Sequence, residues 1–203
     1  ARGLGLGPAR TDVVAANARL RRAATARADR VYTGVLYEAL DLPSLSAAAR
    51  RRASSWLAVT SALFGLLRPG DRIPAYRLSA GTPLPGIGAP STYWSRRLDA
   101  AAREAAGRGL VVDLRSSAYV AFWRPPADLA SRTVTVRVLH DRDGHRSVVS
   151  HLNKATKGRL VRTLLEHGPG PATPARFADH LTALGWRVER GTVGALDVVV
   201  SAL

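Results

Sequence analysis

The sequence predicts a mixed α/β fold, with a central mixed sheet flanked by helices in one domain. Three observations carry that reading. Short apolar runs around 56–63, 109–114, 133–139, 186–190 and 195–200 have strand length and β-branched content. Longer segments with helical spacing alternate with them. Breaks such as Asp41-Leu42-Pro43-Ser44 and Gly168-Pro169-Gly170-Pro171 punctuate the series. A chain of 203 residues with 46% hydrophobic content can bury a core. A single domain over 1–203 is therefore expected, helical over 1–30 and mixed α/β over 31–203.

Gly3-Leu4-Gly5-Leu6-Gly7-Pro8 reads as a tight turn entering a helix from about Ala9 to Ala28, which carries Arg19, Arg21, Arg22 and Arg27. Its alternating glycines are similar to the hairpin of a helix-hairpin-helix module, where backbone N–H groups meet phosphate. A plain loop before a helix has the same composition. Val35 to Leu40 is a short helix, and Ser44 or Ser46 caps the Ala/Arg-rich helix that follows. Trp56 to Leu63 reads as a buried strand. Gly65 to Gly88 is rich in Gly and Pro and reads as a long irregular loop, a kind that often carries function. Ser91 to Gly107 is a helix bearing Tyr93, Trp94, Arg96, Arg97 and Arg103, and Gly109 to Leu114 is a second buried strand. Thr133 to Leu139 alternates as a strand, Asp141-Arg142-Asp143-Gly144 turns the chain, and Ser147 to Ser150 returns antiparallel. A helix from about Leu152 to Glu166, a short helix over 175–184 and two closing strands complete the layout. No internal repeat is visible.

Charge bounds the partners. The net charge is +15 with a pI near 11.5, which attracts polyanions. Nucleic acid is the leading partner. A membrane is not expected, because no stretch approaches the ~20 apolar residues of a span and no helix pairs an aromatic lipid face with a basic one. The chain has no Cys, which excludes disulfides, thiolate metal sites and cysteine nucleophiles. His140, His145, His151, His167 and His180 lack a zinc spacing, so no metal is expected. There is no Walker loop and no complete dinucleotide fingerprint, so no cofactor is expected either. The opening residues lack the pattern of a signal peptide, and a cytoplasmic location is the default.

Only two of the 30 basic residues are lysines, Lys154 and Lys157. Arginine bias of that strength makes a surviving lysine a candidate for a role that needs a compact ammonium. Three constellations bring chemistry-bearing residues together. The first runs from Ser61 to Leu78 and delivers Arg68, Asp71, Tyr76 and Arg77 onto one loop; Asp71 either orients an arginine for phosphate or pins the loop. The second is Asp113-Leu114-Arg115-Ser116-Ser117-Ala118-Tyr119, an acid at the carboxyl end of a strand before a Ser-capped turn. Asp113 serves there either as a site residue or as a helix cap. The third is His151, Lys154, Lys157 and Arg162, suited to a phosphate or, in a buried site, to a base or nucleophile.

These residues resemble the YaaA family of peroxide-stress proteins (DUF328, UPF0246). The matching segments keep their order: Tyr32-Thr33-Gly34; Ser61, Gly65, Leu67-Arg68-Pro69 and Asp71; Tyr76-Arg77-Leu78 with Gly81; Trp94; Asp113-Leu114-x-Ser116 with Tyr119; then Lys154, Gly158 and Arg162. The match covers 31 to about 166 and looks like the family without its N-terminal segment, its first strand and helical region. The resemblance implies a cantaloupe-like α/β fold with a basic cleft. It also implies binding of double-stranded or branched DNA through a helix-hairpin-helix variant, and a role in limiting peroxide damage.

Two functions follow as expectations. In the first, Arg68, Asp71, Tyr76, Arg77, Arg115, Ser116, Lys154, Lys157 and Arg162 line a cleft that binds DNA by its backbone and shape. In the second, Lys154, Asp113 and Tyr119 serve an enzyme acting on a nucleotide, nucleobase or other small anion.

Overall fold

The computed structural model describes residues 11–191 and 194–201. The glycine-rich opening at 3–8, read as a hairpin, lies outside them. The elements begin with α1 (Thr11–Ala18), β1 (Thr25–Arg27), α2 (Ala28–Val31), α3 (Val35–Leu40) and α4 (Ala47–Trp56). Next come β2 (Val59–Ser61), β3 (Gly65–Leu67), β4 (Arg72–Pro74), α5 (Pro90–Ser95) and α6 (Asp99–Ala106). Then follow β5 (Val111–Asp113), α7 (Ser117–Val120), α8 (Ala127–Ala130), β6 (Thr133–Arg142) and β7 (His145–Ser147). The chain closes with α9 (Ser150–His167), α10 (Pro174–Ala183), β8 (Val188–Arg190) and β9 (Ala195–Ser201). The mixed α/β class stands, with a mixed sheet flanked by helices.

The chain gathers into two compact units, each made of three segments. The first takes residues up to Tyr32, Ser54–Ala105 and Arg115–Arg124. It holds two antiparallel ribbons, β1 with β4 and β2 with β3. Ala28, Leu67 and Ile73 form one small core, with Tyr32, Phe64 and Tyr76 against it. Ala62, Ala80, Leu98 and Phe122 form another, with Trp94 and Trp123 against it. The expected helix over 9–28 stops at Ala18, because the side chain of Asn17 turns to the backbone of Arg77 (Nδ2 to O 2.7 Å, N to Oδ1 3.0 Å) and Thr25–Arg27 pairs with β4. Tertiary pairing there overrides local helix preference.

Other boundaries shift for equally local reasons. The strand expected from Trp56 is confined to Val59–Ser61, since α4 runs on to an exposed Trp56 and the Arg68 guanidinium holds the carbonyls of Ser55 and Leu57. The loop over 65–88 contains β3 and β4. The helix expected over 91–107 is two, α5 and α6. The chain turns at Arg97 and Leu98, whose N–H groups both reach Trp94 O, while Trp94 Nε1 donates to Ala62 O at 2.9 Å.

The second unit takes Thr33–Ala53, Ala106–Leu114 and Pro125 onward. Its sheet runs β5-β6-β9-β8, parallel across the first three strands and antiparallel at β8, with β7 folding back on the end of β6. The turn between β6 and β7 has positive φ at Asp143 (53°) and Gly144 (82°), which an Asp-Gly pair accepts at little cost. Alternation along β6 buries Val134, Val136 and Val138 against Leu160 of α9 and Phe177 and Leu181 of α10. On β6 and β9, the register partners Arg137 and Asp197 close a bidentate pair, both bonds at 2.7 Å.

Helices α3 and α9 meet at Gly158. A Cβ there would strike the carbonyl oxygen of Leu36 and sit 2.9 Å from Ala39 Cβ. Around that contact the helix ends cap one another. Arg162 donates to Leu40 O, Asp41 O and Ser44 Oγ, closing α3 where Asp41 turns left-handed at φ 47°. Ser46 accepts from Ala49 N–H as the cap of α4, and its own N–H and hydroxyl donate to the Glu166 carboxylate. In return, Arg52 donates to Leu165 O and Glu166 O at the end of α9.

Two outcomes are expected. Gly158→Ala lowers stability by about 2 kcal/mol in urea unfolding, although alanine gains about 1 kcal/mol over glycine in an open helix. The Ser46 hydroxyl and N–H hold the Glu166 carboxyl below its ordinary range. Its stabilising effect is thus present above that range and lost as pH falls through the depressed value. Glu166→Gln therefore flattens the acid limb of the melting-temperature profile.

Candidate functional site

In the first unit the β2–β3 hairpin places a chain of three hydroxyls. Ser61, 1% exposed at the end of β2, accepts from Leu63 N–H at 3.2 Å and Phe64 N–H at 3.0 Å. With both lone pairs engaged, its hydrogen goes to Tyr76 Oη at 2.6 Å. The Tyr76 hydrogen then goes to Tyr32 Oη at 2.8 Å. The direction of the chain is thus set by two backbone amides. The Tyr76 ring packs edge-on to Tyr32 and Phe64. Burial pushes the Tyr76 phenol up; donation from Ser61 opposes that and Tyr32 adds to it. Burial and then Tyr76 raise the Tyr119 phenol, against the pull of Arg77. Both phenols therefore act as neutral hydrogen-bonding groups near pH 7 and not as phenolate bases.

The arginines of the same unit divide by use. Arg68 spends its guanidinium on Ser55 O (2.9 Å) and Leu57 O (3.0 Å). Asp71 accepts from the backbone N–H of Arg68 at 2.8 Å and so caps the turn. Arg77 keeps an exposed side chain while Asn17 pins its backbone. Arg115 lies 5.6 Å from the Trp123 ring centroid and reaches Tyr119 O at 3.4 Å. Exposed Ser116 heads α7, and its carbonyl takes the N–H groups of Tyr119 and Val120.

In the second unit Asp113 ends β5, only 8% exposed. Lys157 reaches down from α9 and donates its ammonium to Leu114 O at 2.8 Å. Burial lowers the Lys157 pKa, and the nearby Asp113 charge pulls it back up. Lys154, three residues earlier on α9, is exposed, as is His151. Arg162 is taken up by the end of α3.

The structure thus brings together Tyr76 with Ser61 and Tyr32, Arg68 with Asp71, and Asp113 with Lys157. Sequence reasoning did not single out the Tyr32–Tyr76 bond, whose partners lie 44 residues apart with no local pattern to join them. Among the described residues no group of three or more His, Asp or Glu side chains could hold a metal. No helix among them is long and apolar enough to cross a membrane.

Comparison with known proteins agrees with the resemblance drawn from the motifs. The family model described as peroxide stress protein YaaA matches residues 7–190. A UPF0246 protein of Streptomyces coelicolor is 50% identical over 203 residues, covering 97% of this chain and 77% of that protein. One from Corynebacterium efficiens is 40% identical over 189 residues, covering 91% and 74%. One from Corynebacterium glutamicum is 43% identical over 136 residues, covering 66% and 52%. With the ordered motifs in place on β2, β5 and α9, the chain belongs to the YaaA (UPF0246) family of peroxide stress proteins.

Proposed function

We propose that this protein binds duplex or branched DNA without sequence preference in the cytoplasm and thereby limits oxidative damage to it. The observation that carries the reading is the +15 charge together with how it is presented. Arg19, Arg21, Arg22, Lys154 and Arg159 are exposed, and no carboxylate among the described residues pairs with them. Each such cation releases condensed counterions when it meets a phosphate. Arg77, Arg115 and Ser116 of the first unit contribute further exposed or half-exposed donors to DNA binding. Arg68, Lys157 and Arg162 serve it indirectly, since their donors hold carbonyls of their own units. Tyr76 and Asp71 shape the loop that carries Arg77.

A second reading, an enzyme acting on a nucleotide, nucleobase or other small anion, rests on one observation. Lys157 sits half-buried near the buried carboxylate of Asp113 at the carboxyl end of a parallel strand. An amine in that setting gives up its proton more readily than a solvated one. In this reading the amine acts as base or nucleophile, with Asp113 as its counter-charge. Lys154, on the same helix as Lys157, takes a substrate-binding role.

The DNA reading expects log affinity to fall with log salt at roughly −0.9 per phosphate neutralised. Lys154→Ala should lower that slope by about 0.9 and weaken all duplexes alike, whereas Arg68→Ala should chiefly lower the melting temperature. Fluorescence anisotropy over a salt series checks both, and a salt-independent affinity would sink the reading. For the second reading, the chain's two lysines make an isotope-labelled side-chain titration simple to assign. The Lys157 amine should titrate below the ordinary lysine range, and in Asp113→Asn lower still.

A further inference from the structure

The loop before α5 exposes an isoleucine on purpose-built backbone. Leu84 and Gly88 exchange two hydrogen bonds, each 2.8 Å, and Ile87 N–H adds a third to Leu84 O at 3.1 Å. Gly86 (φ 72°) and Gly88 (φ 84°) supply the left-handed turns that close so short a loop. At its tip Ile87 is 54% exposed. A closed, hydrogen-bonded loop gives the side chain little freedom to fold inward, so its apolar surface is held outward.

Beside the tip lies a shallow hollow of about 260 Å³, lined by Gly86, Ile87, Thr92, Tyr93, Arg96 and Arg97. Arg97 is stacked over the Tyr93 ring with its guanidinium carbon 4.0 Å from the centroid, and Nη1 donates to Tyr93 O at 3.0 Å. That anchorage uses one edge of the guanidinium and leaves other N–H groups facing out. Arg96 is exposed. Among the described residues no carboxylate lines the hollow, and Asp99, the next acid along the chain, is engaged by Arg103 and by Trp123 Nε1.

An outward aliphatic tip beside a hollow that carries two arginines is complementary to a polyanion that has an apolar slot next to its charges. Duplex DNA offers that: phosphates on either side of a groove, and base steps that part for one aliphatic wedge. An acidic peptide would use the arginines but has no need of the tip. An anionic membrane would need a larger apolar face than one side chain. We infer that the 84–88 loop wedges Ile87 into a base step of bound duplex DNA while Arg96 and Arg97 hold the flanking phosphates. This rests on the DNA reading above and adds to it a bent, locally unstacked DNA, with a preference for easily parted pyrimidine–purine steps.

The test uses the whole chain and a short duplex carrying 2-aminopurine at a central TA step and a fluorophore at each end. Saturating wild-type protein should raise the 2-aminopurine emission and shorten the end-to-end distance. Ile87→Ser, which alters an exposed side chain, should abolish both signals, leave the salt slope unchanged and weaken binding about tenfold. Arg97→Gln should lower the slope by about 0.9. Salt-dependent binding with no change in 2-aminopurine emission overturns the wedge and leaves the DNA reading standing. So does an Ile87→Ser variant that still unstacks the step. An Ile87→Ser effect confined to phosphatidylserine vesicles reassigns the tip to membranes. No salt-dependent binding by the wild type removes the DNA reading itself, and the wedge with it.

Discussion

The second unit depends on one missing side chain. Because Gly158 has no Cβ, α3 can lay its backbone directly on α9. Everything placed around that crossing presumes the short distance it allows. Arg162, one turn further along α9, is close enough to gather the carbonyls that α3 leaves unpaired at its end. Glu166, a further turn on, reaches the start of α4, and Arg52 returns to close α9. These three helix ends, of α3, α4 and α9, find their donors or acceptors on a neighbouring helix. The same α9 then presents Leu160 and Leu164 to the sheet and lowers Lys157 to the end of β5. The position of the Lys157 amine beside Asp113 is thus inherited from a packing contact at Gly158.

Arginine in this protein is as much a structural residue as a source of charge. Arg52, Arg68, Arg132 and Arg162 each donate to two or more main-chain carbonyls at once. A planar fork of donors suits that task in a way a lysine ammonium does not. Carbonyl clamps also keep the charge, since they spend no carboxylate. A chain with 15 acidic residues against 30 basic ones can be held together in this manner and still remain strongly positive.

What the sequence made legible was what repeats locally. β6, α9, α10 and β9 have enough residues for their period to show, and each appears close to where its pattern places it. The Asp-Gly turn was legible from two residues. Short elements were not, because distant partners decide them. β1 exists through pairing with β4, the end of α1 through Asn17 and Arg77, and the extent of α4 is marked by Arg68. The site divides the same way. Asp113, Tyr76 and the lysine pair stood out by residue type and neighbours, but nothing in those neighbours tells an arginine that clamps a carbonyl from one that faces water. The hydroxyl chain from Ser61 to Tyr32 needed the hairpin and α2 to be in place before its members could meet.

Each unit is stitched from three separated stretches of chain, and that has a temporal cost. Leu40 and Arg162, which meet at the end of α3, are 122 residues apart in the sequence. At about 5–20 residues per second of synthesis, the first helices of the second unit wait on the order of ten seconds for the helix that completes them. In that interval the Ala-rich α4 is in the company of Arg50, Arg51 and Arg52. Consecutive charges of one sign repel neighbouring chains and suit a helix that must stay dispersed until its partner emerges. Closure then comes late and at long range, the regime in which folding is slow and concerted.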